Sequence, residues 1–239
     1  MPSSKPHSLN GVIFDMDGTL FSSILNFARI REQLNCHADI DILDFISTLD
    51  SEGRQRAEQV ILDHELADAQ QSQLLPEVKA AVQRLHQANI PMAIVTRNCQ
   101  QATAIKVKRN PLPIELILTR DDAPAKPDPS ALLHIAERWQ MAPTELVYVG
   151  DYKYDIEAAR NANMRACLYA PQALPDYAHQ ADHIIRCFSE LPSLFPSYVK
   201  YPHLKSLTNK AALLCKHGTS PMCCELLKSR EEINSNLRD

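Results

Sequence analysis

The chain has 239 residues, of which 45% are hydrophobic and 23% are charged, with a formal net charge of −4. This length allows one large domain or one domain with an insertion. The slight acidity provides no broad basic surface, so nucleic acid is not expected as a partner. Five glycines and 6% aromatic residues disfavour β-barrels and propellers, which need frequent turns.

Neither membrane insertion nor secretion is expected from the sequence. No apolar run is long enough to span a bilayer, and residues 1–10 lack the apolar core of a signal peptide. The seven cysteines are scattered and lack C-x-x-C spacing, which favours neither a disulfide framework nor a structural zinc site. Cys167 and Cys187 lie in apolar surroundings and are interpreted as core thiols. We therefore predict a cytoplasmic protein without a membrane partner, and leave its oligomeric state open.

The first strand is predicted over residues 11–15, after a polar segment of residues 1–9. It ends at Asp15 and Asp17, whose side chains share one side of an extended chain. Open α/β sheets bind their ligands at this end of their strands. Two carboxylates so close together repel unless a cation neutralises them, and Mg²⁺ favours such oxygen ligands. An acidic surface turn is the alternative interpretation.

Helical periodicity follows over residues 22–75 and predicts three helices. The first carries Ile24 and Leu34, the second covers residues 40–49, and the third covers residues 54–69. Its buried side is predicted to comprise Ala57, Val60, Ile61 and Leu66. Three helices inserted directly after such a strand are expected to form a cap over it. Arg29, Arg31 and Asp41 are possible substrate contacts, although an ordinary solvated helix face explains each of them better.

From residue 77 onward, predicted helices and strands alternate. Helices are expected over residues 77–88, 99–109, 130–140 and 154–162, and strands over residues 91–96, 114–118, 145–149, 165–169 and 183–185. This alternation predicts an α/β fold, a Rossmann-like parallel sheet with right-handed crossovers. We assign residues 9–21 and 76–200 to the catalytic core, 22–75 to the helical cap and 201–239 to a poorly structured tail. In that tail a helix near residues 224–232 is possible. Cys223 and Cys224 could be a lipidation or redox site, but cysteines without a role are the favoured interpretation.

Three further segments contain polar residues that could belong to a functional site. Thr96 ends a strand just before Arg97 and Asn98, where a helix begins and an anion could bind. Lys126 lies between prolines that fix the backbone, so its ammonium is held rigidly, although most such lysines are solvated surface charges. Asp151 ends another strand, and Asp155 follows in the first helical turn, where a helix N-cap is the structural alternative.

These four segments, in this order, resemble the four signatures of the haloacid dehalogenase-like (HAD) hydrolase superfamily, which consists mostly of phosphatases. The carriers of the resemblance are Asp15-Met16-Asp17-Gly18-Thr19, Thr96, Lys126-Pro127-Asp128-Pro129 and Gly150-Asp151 with Asp155. The resemblance spans nearly everything from about residue 11 to residue 185. The inserted helices resemble a shortened cap of the subfamily that includes phosphoglycolate phosphatases and β-phosphoglucomutases. Tyr152 departs from this pattern, since the family more often has a small hydroxyl residue there.

The resemblance implies a role for each of these residues. Asp15 is expected to be the nucleophile that forms an aspartyl-phosphate, and Asp17 the general acid and base. Thr96 and Lys126 are expected to hold the phosphoryl group, with Arg97 and Asn98 as further substrate contacts. The implied Mg²⁺ site comprises Asp15, the backbone carbonyl of Asp17, and Asp151, with Asp155 as support.

We therefore predict a Mg²⁺-dependent phosphatase that acts on a small phosphorylated metabolite. A sugar-phosphate mutase and a non-catalytic regulatory protein on the same fold remain as alternatives. Dehalogenase chemistry is disfavoured because Asp17 is present. Phosphonate hydrolysis by the family's route needs a cap lysine, and there is none between Lys5 and Lys79.

Overall fold

A parallel β-sheet forms the centre of the computed structural model, which describes residues 8–195. Its strands are β1 (Gly11–Phe14), β2 (Met92–Val95), β3 (Leu116–Leu118), β4 (Leu146–Gly150), β5 (Arg165–Tyr169) and β6 (His183–Ile185). Their order across the sheet is β3-β2-β1-β4-β5-β6, and each neighbouring pair is parallel. The predicted α/β class and all the predicted strands are confirmed, with strand ends that differ by two residues or fewer.

Seven α-helices accompany these strands in the described residues. Three lie between β1 and β2 as an insertion, namely α1 (Phe27–Leu34), α2 (Ile42–Ser47) and α3 (Ser51–Gln71). The others are α4 (Val78–Gln87), α5 (Gln100–Arg109), α6 (Ser130–Trp139) and α7 (Lys153–Asn161), with 3₁₀-helices at Pro143–Glu145, Asp176–Gln180 and Phe188–Leu194. No helix in residues 8–195 is long and apolar enough to cross a membrane.

The central strands are buried on both faces, as continuous apolar runs predict for a parallel sheet. Alternate side chains enter two separate hydrophobic clusters. Phe14 and Val149 pack in one cluster with Val82 of α4. Ile13 and Tyr148 belong to the other cluster, which contains residues of α6 and α7. Cys167 and Cys187 are buried, as expected.

The inserted helices surround an apolar cluster of their own, which comprises Ile30, Cys36, Ile42, Ile46, Ala57 and Ile61. In the predicted buried side of α3, Ala57 and Ile61 are buried, whereas Val60 and Leu66 are only half-buried. The division into a core and a cap stays a prediction. The proposed tail and its cysteines lie outside the described residues.

The beginnings of these three helices differ from the predicted ones because polar caps determine them. Asn26 accepts a hydrogen bond from Arg29 N, so α1 begins at Phe27 and leaves Ile24 outside the helix. In the same way Asp41 caps α2, and Asp50 caps α3, which begins at Ser51, three residues before its predicted start.

The sheet topology brings three loops together at one edge. Strand β1 lies between β2 and β4, and all three strands point the same way. The residues that follow them, Asp15, Thr96 and Asp151, therefore lie at the carboxyl edge of the sheet, where the strand order reverses.

Candidate active site

Asp15 follows β1 directly and is buried, with its backbone N–H donating to Val149 O at 2.8 Å. The next turn requires a glycine, since Gly18 has φ of +79° and a Cβ there would lie 2.3 Å from Asp151 Oδ2. The buried Thr19 hydroxyl then donates to Asp151 Oδ1 at 3.0 Å. The loop after β1 thus contacts the carboxylate that follows β4.

Lys126 is buried beside Asp15, and its ammonium contacts three acceptors. It donates to Asp15, to Asp155 Oδ1 at 2.7 Å and to the Tyr148 hydroxyl at 2.7 Å. Burial alone would lower the pKa of Lys126, but the charges of Asp15 and Asp155 outweigh it and raise this pKa above its ordinary value. The rigid, charged lysine predicted from its neighbouring prolines is therefore directed at Asp15.

Three carboxylates meet at this point. One oxygen from each of Asp15, Asp151 and Asp155 lies within 4.8 Å of the other two. Burial raises the pKa of Asp15 well above its ordinary value, and burial together with the Asp155 charge raises the pKa of Asp151 to about 7. Lys126 alone does not neutralise three carboxylates. Because a hard divalent cation favours such oxygen donors, these residues could bind one.

The side chain of Asp17 does not contact Lys126 but hydrogen-bonds to Asn98 and Lys106. Asn98 Nδ2 donates to Asp17 Oδ2 at 2.6 Å, and Lys106 donates to Asp17 Oδ1. Burial raises the pKa of Asp17, and the attraction of Lys106 only partly offsets this shift. A carboxyl group with a raised pKa is suited to donating a proton near neutral pH.

Lys106 is the residue at this site that sequence reasoning missed. It lies on α5 with a fully buried side chain, and it also donates to Asp68 Oδ2 on α3 at 2.6 Å. Asp68 in turn accepts from Ile24 N at 2.6 Å. Lys106 therefore connects the loop after β1 to the inserted helices. One signal was available, since Lys106 shares a helix face with Ala102 and Thr103.

Thr96 and Asn98 are buried together after β2, where Asn98 N donates to Thr96 Oγ1 at 3.1 Å. The backbone amides at the start of α5 already have carboxylate partners. Cys99 N donates to Glu65 at 3.0 Å and Gln100 N donates to Asp121 at 2.7 Å. An anion at this loop would therefore rely on groups other than these two amides.

Arg97 connects the loop after β2 to the insertion. Its guanidinium donates to Asp41 Oδ1 at 2.6 Å and to the backbone carbonyl of Lys126 at 3.1 Å. It also lies 4.9 Å from the centroid of the Tyr154 ring. Asp41, the N-cap of α2, is thereby bound to the loop after β2.

All the predicted site residues line one cavity of about 510 Å³. These residues are Asp15, Asp17, Thr96, Arg97, Asn98, Lys126, Asp151 and Asp155. Of the three possible substrate contacts on the insertion, Arg31 and Asp41 line the cavity, whereas Arg29 is not among its lining residues.

Known proteins resemble this chain across most of its length. It is 30% identical over 204 residues to a haloacid dehalogenase-like hydrolase domain-containing protein of Arabidopsis thaliana, covering 78% of this chain and 83% of that protein. It is also 30% identical over 180 residues to the phosphoglycolate phosphatase of Vibrio vulnificus strain CMCP6, covering 63% and 79%.

A solved structure has the same fold. The crystal structure described as a predicted phosphoglycolate phosphatase from Haemophilus somnus superposes with a TM-score of 0.61 at 18% identity, covering 78% of this chain and 97% of that one. The sequence profile of one family, haloacid dehalogenase-like hydrolases, matches residues 12–169 and so includes every residue of the predicted site. With this profile, the relatives and the fold in agreement, the chain belongs to the haloacid dehalogenase-like hydrolase family.

Proposed function

We propose that the protein is a phosphatase that hydrolyses a small phosphorylated metabolite through an aspartyl-phosphate on Asp15. The observation that carries this proposal is the position of Asp15 in the cavity, where it contacts Lys126 and adjoins two further carboxylates. The relatives described as phosphoglycolate phosphatases support the reaction class.

In the proposed reaction, an Asp15 carboxylate oxygen attacks phosphorus, and the bond between phosphorus and the ester oxygen breaks. Lys126 neutralises charge on Asp15 and on the phosphoryl oxygens, and Thr96 and Asn98 orient the group. A Mg²⁺ ion bound by Asp15, Asp151 and Asp155, with the backbone carbonyl of Asp17, would supply further positive charge at the phosphoryl oxygens.

Asp17 moves the proton in both halves of this reaction. Its carboxyl group first protonates the departing alkoxide, and the resulting carboxylate then accepts a proton from the water that attacks the aspartyl-phosphate. The second attack releases inorganic phosphate and regenerates Asp15. Asn98 and Lys106 hold the Asp17 side chain by direct hydrogen bonds, so we assign Lys106 as a positioning residue.

The inserted helices act as a cap in this proposal, because they provide part of the cavity that contains Asp15. Within residues 8–195, three ion pairs connect them to the other elements, namely Asp41–Arg97, Glu65–Arg120 and Asp68–Lys106. Closure of such a cap would exclude water from the transferred phosphoryl group. A cytoplasmic location stays a prediction.

Phosphate release from a panel of phosphate monoesters tests the proposal. Wild type and Asp15→Asn are compared in Mg²⁺ and in chelator. We expect release that requires Mg²⁺ and disappears in Asp15→Asn, while circular dichroism shows that the variant remains folded.

Release that persists in Asp15→Asn would contradict the assigned nucleophile. If wild type released no phosphate from any compound, the phosphatase proposal would fail. Sugar phosphates from the same reactions would then be examined for positional isomers, the products of a mutase.

A further inference from the structure

The cavity that contains Asp15 is large for a phosphoryl group with a two-carbon organic part. Its volume of about 510 Å³ falls in the range of pockets that hold drug-sized ligands, roughly 300 to 1,000 Å³. The residues that line the remaining space therefore bear on which organic group the substrate carries.

On the insertion side, that lining is mostly apolar. Leu25, Phe27 and Leu43 line the cavity and retain exposed surface, and Phe27 is 59% exposed. Behind them Ile30, Ile42 and Ile61 are buried in the cluster of the insertion. Burial of an apolar organic group against these side chains would remove both surfaces from water.

The loop after β4 adds two aromatic rings to the same cavity. Tyr152, where the family pattern leads one to expect a small hydroxyl residue, is 49% exposed and lines the cavity beside Tyr154. The two rings meet edge to face with centroids 5.3 Å apart. Such rings favour contact with another planar or apolar group.

The charged lining residues already have partners within the protein. Arg97 pairs with Asp41, and Lys126 pairs with Asp15 and Asp155. The Arg31 guanidinium donates to the backbone carbonyls of His37 and Ile40. Among the described residues, these are the basic side chains that line the cavity. A second acidic group on the substrate would therefore compete with carboxylates of the protein for Arg97 and Lys126, whereas the Arg31 guanidinium contacts neutral carbonyls.

We propose that the substrate is a phosphate monoester whose organic part is aromatic or largely apolar. This inference rests on the proposed phosphatase function and narrows its substrate. It distinguishes the chain from relatives described as phosphoglycolate phosphatases, because phosphoglycolate carries a carboxylate beside its phosphate.

Benzyl phosphate and phosphoglycolate provide the test, since both are esters of primary alcohols and differ mainly in the organic group. We expect kcat/KM to be at least about tenfold higher for benzyl phosphate, a ratio typical of apolar pocket contacts. An equal or higher kcat/KM for phosphoglycolate would overturn the substrate class and leave the phosphatase function intact. Hydrolysis of neither ester, nor of any other monoester, would instead remove the proposed function on which the substrate class rests.

A matched pair of variants locates the effect in the cavity. Phe27 and Ile24 are both 59% exposed, but only Phe27 lines the cavity. Phe27→Ala should raise KM for benzyl phosphate about fivefold to tenfold and leave the kinetics on phosphoglycolate nearly unchanged. Ile24→Ala should change neither. If Phe27→Ala affected both esters equally, or neither, the apolar wall would have no part in substrate choice.

Discussion

Two buried lysines, Lys126 and Lys106, each contact one aspartate of the segment that follows β1. Each side chain is almost completely buried, and each ammonium donates to two carboxylates. The partners of Lys126 are Asp15 and Asp155. The partners of Lys106 are Asp17, in the loop after β1, and Asp68 on α3, so only Lys106 contacts the insertion.

The two lysines also differ in the number of carboxylates that surround them. Lys126 faces a cluster of three carboxylates, whereas Lys106 faces two. A buried ion pair is costly to desolvate, and removal of one partner leaves an uncompensated charge. The Lys126 cluster thus favours a further cation and suits chemistry on phosphate. The Lys106 group instead holds Asp17 and the insertion together.

The largest effect is expected from Lys126→Met, which removes the cation beside Asp15. Phosphoryl transfer depends on charge neutralisation, and loss of one preorganised donor typically lowers kcat by about 10²- to 10³-fold. We expect a loss at the upper end of this range, measured as phosphate release under saturating substrate. Lys108→Met, at an exposed position on α5, serves as a control and should retain wild-type activity. Comparable activity in both variants would contradict the assignment of Lys126.

Lys106→Met should give the next largest effect. Asp17 and Asp68 lose their shared cation, and breaking a buried pair costs about 3 to 5 kcal/mol of unfolding free energy. Since Asp17 would also be held less precisely, we expect kcat to fall about 10²-fold with little change in KM.

Urea denaturation and steady-state kinetics measure both quantities, again against Lys108→Met. Should Lys106→Met prove too unstable to purify, Lys106→Arg keeps the charge but changes its geometry, and should lower kcat in the folded protein. An unchanged kcat in the folded variant would leave Lys106 with a structural role only.

The two lysines also show how far sequence reasoning extends at this site. Lys126 could be predicted because its neighbouring prolines are local features and Lys126-Pro127-Asp128-Pro129 resembles the third signature. Lys106 lies within a helix that also carries Lys108 and Arg109, and only the helix face that it shares with Ala102 and Thr103 distinguishes it from them. Its burial depends on how α3 packs against α5, which is a tertiary contact that helical periodicity does not specify.

The same distinction applies to the fold. Apolar runs placed every strand within two residues, because burial on both faces leaves a continuous signal. Helix starts in the insertion were less accurate, although Asn26, Asp41 and Asp50 are residue types that favour N-caps. In the insertion, N-cap residue types therefore indicate where the helices begin better than the apolar pattern does.

A smaller effect is expected from the excess of carboxylates around Lys126 in metal-free protein, where the unfolding free energy should depend on pH. The pKa of Asp151 is about 7 in the folded state, raised from its ordinary value of 3.8 by burial and by Asp155. The folded state thus retains a proton that the unfolded state has released, so the unfolding free energy should decrease as the pH rises from about 4 to about 7. Each unit of pKa shift corresponds to about 1.4 kcal/mol.

Urea denaturation in chelator at several pH values measures this slope. Asp151→Asn removes the titrating group and should make the decrease between pH 4 and pH 7 smaller than in wild type. Identical slopes in the two proteins would contradict the raised pKa of Asp151.

The smallest effect is expected from Asp68→Asn. This variant separates the two roles of Lys106, which are to hold Asp17 and to bind the inserted helix α3. Asparagine keeps the shape of the side chain and can still accept a hydrogen bond from Ile24 N, but it no longer neutralises Lys106. Lys106 remains paired with Asp17, so its position is loosened rather than lost. We expect kcat to fall about threefold to tenfold, well short of Lys106→Met. Asp63→Asn, at an exposed position on the same helix, should leave kcat unchanged.

Comparison of these variants decides whether the insertion influences Asp17 through Lys106. If Asp68→Asn lowered kcat as much as Lys106→Met, the anchoring of Lys106 to α3 would matter as much as its charge. If it lowered only the unfolding free energy, Asp68 would hold the insertion in place without affecting proton transfer. An intermediate loss of kcat, with KM nearly constant, is the result expected when a helix outside the sheet helps to position the residue that moves the proton.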